Sequence, residues 1–389
     1  MSVIIAGAGL SGLACALALA DAGMDVELHE AAPQAGGRCR SWFDEGLGAE
    51  IDNGTHLIAG GNKAAWAYLH RLDAETSMQV LPPALPMMDL ADGRRWLASP
   101  LSLLPTVAAA FPRLMCGQDA TVAQALGRSR HYGGFWHPLA LAALNTDPEQ
   151  AQALLLRRVL ARTVWRGAAS SRLYRAKESL SASFITPAVE ELRRLGVTLR
   201  FGHPLRRVVQ NGGKARELVF DDESRHLSRH DRLVLALPAP AARRLLPDLP
   251  DLPHSAIANV HFRLTVAQAD QSSAPLGLIG GLAQWLFVRD NILSITLSAA
   301  PNLTEQSVET LWEEACKALG IKGDIPECRH IQEKLATLLH SPATERLRRA
   351  PTVAENILLC GDVTTTGLPC TIEGAVLSGR RAAILAAAR

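Results

Sequence analysis

A glycine-rich segment near the start of the chain restricts the fold more than any other feature. Residues 7–12 read Gly-Ala-Gly-Leu-Ser-Gly, directly after the β-branched apolar run Ser2–Ala6 and before the small-residue stretch Leu13–Ala22. This order predicts a strand, a tight turn and a helix, with the turn and the free N–H groups of the helix facing a pyrophosphate. The predicted phosphate-contacting residues are Gly7, Gly9, Leu10, Ser11 and Gly12.

The same segment could be mistaken for a secretion signal, because the first charged residue is Asp21. No basic residue precedes the apolar part, and glycines interrupt it, so we interpret it as a buried strand and helix. The seven cysteines include no Cys-x-x-Cys pair, which predicts neither a zinc site nor a disulfide framework, and no other metal site is expected. A reducing, cytoplasmic location is the simplest expectation.

An acidic residue follows the second predicted strand at the distance expected for a dinucleotide site. Asp25–His29 reads as that strand, and Glu30 lies 18 residues beyond the third glycine, where a carboxylate accepts hydrogen bonds from ribose hydroxyls. Residues 35–38 then read Ala-Gly-Gly-Arg, which brings the backbone near the ligand and lets the arginine reach a phosphate. The signature, with Gly36, Gly37 and Arg38 as cofactor contacts, resembles that of FAD-containing amine oxidases and carotenoid-type desaturases.

The C-terminal segment supplies a second set of candidate flavin contacts. Ile357–Cys360 reads as a short buried strand, after which the carboxylate of Asp362 is placed to bind ribityl hydroxyls. The small-residue helix Val376–Ala388 can direct its N-terminal N–H groups at the flavin N1/O2 edge. The candidate contacts here are Gly361, Asp362, Thr371 and Ile372.

The order of segments between the two ends also resembles this superfamily. Residues 196–201, 205–210 and 232–238 read as strands, and Val208 falls where the superfamily's adenine-contacting backbone lies. The predicted fold class is α/β: a Rossmann-like FAD-binding domain of the GR2 type with an interleaved α+β substrate domain. We assign 1–70, 185–250 and 350–389 to the FAD-binding domain, and 71–184 and 251–349 to the substrate-binding domain.

Four segments together resemble one family, the squalene-associated FAD-dependent desaturases, which are the hydroxysqualene dehydroxylases of bacterial hopanoid biosynthesis. They are residues 52–56, 136–146, 281–287 and 361–375. The resemblance covers nearly the whole chain and places Asn53, Gly54 and Thr55 beside the flavin. The chain departs from the family pattern at Thr55, Val363 and Cys370, where Gln, Trp and Ala are expected.

The resemblance implies reduction of hydroxysqualene to squalene. Loss of an allylic hydroxyl as water gives a delocalised cation, to which reduced flavin can deliver a hydride. The leaving hydroxyl needs an acid, for which His56 is the first candidate and His137 the second. Two alternatives stay open: a phytoene- or carotene-type desaturase, and a non-catalytic FAD-fold lipid carrier.

The charge balance of 40 basic and 38 acidic residues argues against a nucleic-acid partner. The uncharged run from Trp96 to Pro112, interrupted by prolines, is too broken to span a bilayer. It predicts either a partly buried helical segment or a surface that dips into a membrane and receives an apolar isoprenoid. We therefore expect a cytoplasmic protein with peripheral membrane contact, which associates with upstream squalene-synthase-like enzymes.

No cysteine or histidine has a recognisable flavin-attachment context, which predicts noncovalent FAD. The sequence contains no second Gly-x-Gly-x-x-Gly segment for a nicotinamide domain. The electron donor is therefore predicted to be NADPH acting at the active site or a separate reductase.

Overall fold

A computed structural model describes residues 1–270, 275–300 and 302–388. The strands, numbered in chain order, are β1 Ser2–Ala6, β2 Asp25–Glu30, β3 Ser41–Asp44, β4 Ala49–Asp52, β5 Leu57–Ala59, β6 Met78–Val80, β7 Leu85–Asp89, β8 Arg95–Ala98, β9 Leu173–Ala176, β10 Thr198–Phe201, β11 Arg207–Asn211, β12 Lys214–Val219, β13 Ser224–His226, β14 Arg232–Leu235, β15 His254–Arg263, β16 Leu276–Ile279, β17 Trp285–Arg289, β18 Ile292–Ser298, β19 Cys328–Leu338, β20 Thr352–Ala354 and β21 Ile357–Leu359.

The α-helices are α1 Leu10–Asp21, α2 Lys63–Arg71, α3 Pro100–Ala110, α4 Val122–Leu126, α5 His137–Leu144, α6 Ala153–Arg162, α7 Ala168–Ser171, α8 Thr186–Arg194, α9 Ala239–Leu245, α10 Val266–Asp270, α11 Glu305–Leu319, α12 Pro342–Leu347 and α13 Ile372–Ala387. Short 3₁₀ and π-helical turns join several of them, including the 3₁₀ turn Val164–Arg166 after α6. No described helix combines the length and the apolarity that crossing a membrane requires.

A six-stranded sheet in the order β10-β2-β1-β14-β21-β20 organises the nucleotide-binding half. Its first five strands are parallel, and β20 adds an antiparallel edge. β1 lies at the centre, where Ile4 pairs with Glu27 on one side and Leu233 on the other. The carboxyl ends of β1, β2 and β21 therefore meet at one edge, where a doubly wound sheet binds its ligand.

Two helices cross closely on one face of this sheet. A Cβ on Gly379 of α13 would lie 2.1 Å from the Ser11 carbonyl oxygen of α1, so the absence of a side chain permits the contact. The apolar cluster between helices and sheet includes Val3, Leu13 and Val376, all fully buried. This packing ties the last helix of the chain to the first.

A seven-stranded mixed sheet in the order β19-β15-β18-β17-β16-β7-β8 forms the substrate half. Helix α11 packs on it through Leu311 and Trp312, against Phe262 and neighbouring strand residues. A separate helical cluster, formed by α3 to α6 around Trp136, lies beside the sheet. The small sheet β5-β9-β6 joins strands from segments that the sequence assigned to different domains.

The first and the last predicted helices of the chain are present in the structure, but they begin at other residues than predicted. The first helix begins at Leu10 and the last at Ile372, each a few residues earlier than predicted.

The run from Trp96 to Pro112 was expected to be a proline-broken helical segment, and this is wrong in two respects. Trp96 lies on strand β8, and helix α3 continues through Pro105, with Pro100 at its first turn and Ser99 capping it.

Candidate active site

The two glycine segments predicted from the sequence touch each other. Gly9 and Gly36 form an isolated parallel bridge, and the Gly36 N–H donates to the Ala8 carbonyl at 2.9 Å. A Cβ on Gly12 would lie 1.9 Å from the Gly7 carbonyl oxygen, and Gly7 itself has φ +107°. These positions require glycine for the turn and for the approach of helix α1 to it.

Gly9 requires a different explanation. Its φ is −71°, and a Cβ built there would meet no protein atom within 4 Å. The chain itself therefore tolerates a side chain at Gly9, and the open space lies at the N-terminus of α1, where backbone N–H groups have no intrahelical acceptor. This is the cradle that a pyrophosphate would occupy.

Glu30 stands at the carboxyl end of β2 and binds the backbone around this cradle. One carboxylate oxygen accepts the Ala8 N–H at 2.7 Å, and the other accepts the Ala32 N–H at 2.8 Å. A carboxylate oxygen has two lone pairs, so each oxygen can still accept a ribose hydroxyl. The two backbone bonds hold Glu30 in place for that role.

The C-terminal segment reaches the same place from the far end of the chain. A Cβ on Gly361, which has φ +88°, would lie 3.2 Å from the Ser11 hydroxyl of α1. The neighbouring Asp362 carboxylate pairs with the Arg38 guanidinium at 2.5 Å. The predicted phosphate contact of Arg38 stays a prediction; in the structure its guanidinium, besides pairing with Asp362, donates to the carbonyls of Leu335 and Ala336.

Asp362 is buried yet held in its charged form. Burial acts to raise the pKa of Asp362, but the positive charges of Arg38 and Arg348 outweigh it and hold this pKa below its ordinary value. An ionised carboxylate only accepts hydrogen bonds, as binding of ribityl hydroxyls requires.

The N-terminus of α13 opens beside these groups. Thr371 caps the helix by accepting the Gly374 N–H at 3.2 Å, and Ile372 is its first helical residue. Glu373 is buried and accepts the Ala65 N–H at 2.9 Å. Thr371, Ile372 and Glu373 all line the large cavity described next.

A cavity of about 470 Å³ extends from this helix end to the substrate half. One end is lined by the predicted cofactor contacts Arg38, Asn53, Gly54, Thr55, Thr371 and Ile372. Most of the remaining wall is apolar and includes Met87, Trp96, Leu103, Phe135, Leu139, Trp285 and Phe287. A cavity of this size and character suits a long apolar molecule held against a cofactor edge.

Polar side chains on β15 and β18 interrupt the apolar wall. Asn259 is fully buried; it donates to the Asn53 carbonyl at 3.1 Å and accepts from the Thr296 hydroxyl at 2.7 Å. A Cβ on Gly54 would lie 3.0 Å from the same amide nitrogen. Asn259 therefore fixes the segment that carries the predicted cofactor contacts.

His56 lies on the wall between this cavity and a second, much smaller one. The second space, of about 30 Å³, has Thr55, His56 and Phe287 in common with the large cavity. Burial lowers the pKa of His56 below its ordinary value, with Arg38 acting in the same direction and Asp52 opposing. His137, the second candidate acid, lies at the start of α5 and packs edge-on against Tyr132.

The structure brings nearly all predicted site residues into one connected region. The Val208 side chain is buried in the cluster containing Ile4 and Leu235, which leaves its backbone, the part predicted to contact adenine, for a ligand. Sequence reasoning missed Asn259, Thr296 and Glu333, all of which line the cavity. These residues occur in strands without a recognisable motif, so no local signal distinguishes them from ordinary strand residues.

The residues present fit a flavin dinucleotide. Direct contacts connect the open cradle at the start of α1 with two fixed carboxylates: Glu30 binds the Ala8 N–H, and Gly361, next to Asp362, approaches Ser11 of α1. Asp362 pairs with Arg38, which lines the same cavity as Thr371 at the start of α13. Within the part of the chain that the structure describes, no group of three His, Cys, Asp or Glu side chains could hold a metal ion.

Comparison with known proteins gives consistent matches along the chain. The sequence model of the family described as flavin containing amine oxidoreductase matches residues 10–191, 178–268 and 332–385. A hydroxysqualene dehydroxylase of Sinorhizobium fredii is 36% identical over 99% of this chain and 98% of that protein. One of Rhodopseudomonas palustris is 37% identical over 100% of this chain and 99% of that protein.

Carotenoid desaturases match only in part. A zeta-carotene desaturase of Synechocystis sp. is 39% identical over 21% of this chain and 16% of its own length. Among solved structures, cyclohexylamine oxidase from Brevibacterium oxydans aligns with a TM-score of 0.75 and 18% identity, covering 99% of this chain and 98% of that one. Together with the match to the flavin-containing family, this likeness confirms the predicted fold class, a Rossmann-like FAD-binding fold with a substrate domain.

Proposed function

Because this chain belongs to the flavin-containing amine oxidoreductase family and, within it, to the hydroxysqualene dehydroxylases, we propose that it reduces hydroxysqualene to squalene. The chain is a flavin-dependent oxidoreductase. The observation that supports the substrate is the continuous, mainly apolar cavity from the start of α13 to Trp96. The desaturase alternative draws support only from matches over about a fifth of the chain.

The residues of the site have separable tasks in this reaction. A bound reduced flavin supplies a hydride. The side chains of Phe135, Trp285 and Phe287 exclude water and hold the isoprenoid chain. The polar wall formed by Asn259 and Thr296 is a place where a carbinol finds hydrogen-bond partners in an otherwise apolar cavity. His56 supplies the proton for the leaving hydroxyl.

We further propose that the flavin is FAD, bound without a covalent link, and that NADPH or a reductase renews its electrons. Glu30 and Asp362 would hold ribose and ribityl hydroxyls, and the backbone around Gly9 would hold the pyrophosphate. Acid denaturation should release the yellow chromophore into solution. Colour that remains with the precipitated protein would contradict the noncovalent assignment.

Two assays separate the proposed function from its alternatives. Reduced enzyme is given hydroxysqualene, oxidised enzyme is given phytoene, and the extracted lipids are analysed. We expect squalene from the first mixture and unchanged phytoene from the second. Conversion of phytoene alone would favour a desaturase, and tight binding of both lipids without conversion would favour a carrier.

The apolar substrate also leads us to propose that the protein works at a membrane surface. Trp96 and Leu103 line the cavity, while the adjacent Leu97 and Leu104 are 65% and 44% exposed. Trp165, 48% exposed, stacks on Phe111 at the end of α3 with ring centroids 4.7 Å apart. We use the term docking surface for strand β8, helix α3 and the turn at Trp165. This surface therefore separates the cavity from solvent.

Several arginines lie beside the docking surface. Within the described ranges, no acidic side chain forms an ion pair with the arginines of α6, its following turn and the neighbouring loops. These arginines are Arg113, Arg157, Arg158, Arg162, Arg166 and Arg172. Arginines without an acidic partner, beside exposed apolar side chains, complement an anionic bilayer, at about 1 kcal/mol for each charge near the surface.

Liposome binding tests the docking surface. The double variant Leu103→Asp, Leu104→Asp should bind anionic liposomes more weakly than wild type and keep the flavin spectrum. Phe43→Asp, which changes an exposed apolar side chain on strand β3, is the matched control and should bind like wild type. Equal liposome binding by the double variant and wild type would refute this docking surface. Association with an upstream squalene-synthase-like enzyme remains a separate proposal, testable by co-sedimentation on the same liposomes.

A further inference from the structure

The small space behind His56 is polar, in contrast to the cavity in front of it. Besides the shared Thr55, His56 and Phe287, its wall includes Asp52, Arg175, Arg289 and Ser294. We term this space the polar chamber. Its volume of about 30 Å³ is room for about two water molecules with several hydrogen-bond partners each.

The charged groups of the chamber are fixed in place. The Asp52 carboxylate accepts the Ser41 hydroxyl at 2.6 Å and the Leu180 N–H at 2.9 Å, and it pairs with Arg289 at 2.7 Å. Arg175 donates to the Val288 carbonyl at 2.8 Å. Because these partners hold the chamber walls, the chamber is part of the fold and does not require a ligand to form.

The reaction proposed above needs both a proton and an outlet for water, and this inference rests on that proposed function. The substrate cavity is mainly apolar, whereas the polar chamber behind His56 is lined by the charged groups of Asp52, Arg175 and Arg289. The chamber is therefore the more polar side from which a proton can reach His56. His56 is in contact with both spaces, and an imidazole can accept a proton at one nitrogen while it donates from the other.

We propose that His56 is the catalytic proton donor and that the polar chamber is the water site that reprotonates it. The carbon–oxygen bond of the substrate breaks with its electron pair on oxygen, and that oxygen takes the His56 proton and leaves as water. The carbon receives a hydride from the reduced flavin, so carbon is reduced and flavin is oxidised. Water in the chamber then returns one proton to His56, and the hydroxide left behind takes up a proton from solvent past Arg289, a chamber residue whose side chain is 22% exposed.

The charges around His56 determine when it carries the proton. Arg38 faces it from the cavity side, Asp52 lies on the chamber side, and Arg175 and Arg289 line the same chamber. The proton-carrying form is the minor form at neutral pH, because burial lowers the pKa of His56. The rate of the chemical step should therefore rise as pH falls toward that pKa.

The first test measures single turnovers of photoreduced enzyme with hydroxysqualene across pH. His56→Gln keeps the size and a hydrogen-bond donor but carries no transferable proton. It should slow flavin reoxidation by about 100-fold or more and remove the rise toward low pH, with an unchanged flavin spectrum. His330→Gln, the matched control at an exposed histidine on β19 that lines neither space, should keep the wild-type rate and pH profile.

The second test changes the polar chamber and leaves His56 intact. It therefore still tests whether the chamber supplies the proton if His56→Gln fails to fold. Ser294→Thr keeps the hydroxyl that bonds His261 and adds one methyl group to the chamber wall. Displacing an ordered water should slow the chemical step by about 3- to 10-fold and change its solvent deuterium isotope effect. Ser298→Thr adds the same methyl on the same strand in the large cavity and should leave the isotope effect unchanged.

The outcomes separate this inference from the proposed function. If wild-type enzyme makes no squalene, the proposed function fails. If wild-type enzyme makes squalene, a wild-type pH profile in His56→Gln, or a wild-type rate and isotope effect in Ser294→Thr, overturns the inference. Slower turnover with the profile and isotope effect altered as described supports it.

Discussion

At the edge of the parallel sheet, backbone atoms lie in direct contact with each other. Beside the mixed sheet, side chains instead surround an open cavity. Around Gly7, Gly12 and Gly379, a single added Cβ would lie 1.9 to 2.4 Å from a carbonyl oxygen. Across the site, the walls around Trp285 and Phe135 enclose about 470 Å³. In the function proposed above, the first region binds a rigid dinucleotide through backbone groups, and the second receives a flexible apolar chain through shape. The two regions should therefore respond differently to the same small change in side-chain volume.

The largest contrast is expected within the glycine cradle itself. Gly12→Ala should destabilise the protein by about 3 kcal/mol and abolish flavin binding, because its Cβ would overlap the Gly7 carbonyl oxygen. Gly9→Ala should cost at most about 1 kcal/mol of stability, because its Cβ meets no protein atom, yet it should greatly weaken flavin binding. Chemical unfolding and flavin titration of both variants check this. Equal loss of stability in both would show that the cradle is a structural turn only.

Low pH should reduce the folding stability of both halves, because each half contains a buried histidine whose pKa is strongly lowered. Burial, with His203, Arg200 and Arg225, lowers the pKa of His29 to about 4 in the nucleotide half. Burial, with Arg289, lowers the pKa of His261 to about 4 in the substrate half, while Asp52 opposes.

Since the unfolded chain binds these protons near pH 6.5, stability is full above that pH and falls between about 6.5 and 4. Each histidine contributes up to about 3 kcal/mol of this loss. His29→Gln and His261→Gln should each flatten part of the decline in a series of urea titrations. A decline unchanged in both variants would assign the acid sensitivity to other groups.

Loss of a carboxylate should affect the cofactor but leave the cavity intact. Glu30→Ala and Asp362→Ala should each weaken FAD binding by about 10- to 150-fold, or roughly 1.5–3 kcal/mol. Glu30→Gln and Asp362→Asn, which keep the shape, should lose less than the alanine variants. Calorimetric titration of the apoprotein with FAD measures the difference. Wild-type FAD affinity in both alanine variants would show that neither Glu30 nor Asp362 contributes to FAD binding.

The smallest effect on stability is expected in the cavity wall. Ala142 on α5 lines the large cavity and is exposed to it, so Ala142→Val adds two methyl groups where there is space. Stability should change by less than about 1 kcal/mol, while KM for the isoprenoid should rise several-fold. A destabilisation as large as that of Gly12→Ala would contradict the contrast between the two regions.

The sequence predicted the nucleotide half better than the substrate half, for a physical reason. Backbone contacts to a dinucleotide need glycine and an acidic residue at fixed spacings, so Gly9 and Glu30 are visible within one short segment. Asn259 and Thr296 act through contacts that depend on strand pairing between β15 and β18, where Asn259 lies opposite Thr296. No local pattern encodes that register. The run from Trp96 to Pro112 was predicted to be broken by its prolines, whereas helix α3 continues through Pro105 to Ala110.

The reductive direction of the chemistry is the central claim, and a single-turnover measurement tests it most directly. Photoreduced enzyme is mixed without oxygen with one equivalent of hydroxysqualene, and flavin absorbance and lipid products are followed together. We predict that the yellow colour returns and that one squalene forms for each flavin oxidised. Flavin that stays reduced while hydroxysqualene is unchanged would contradict the claim.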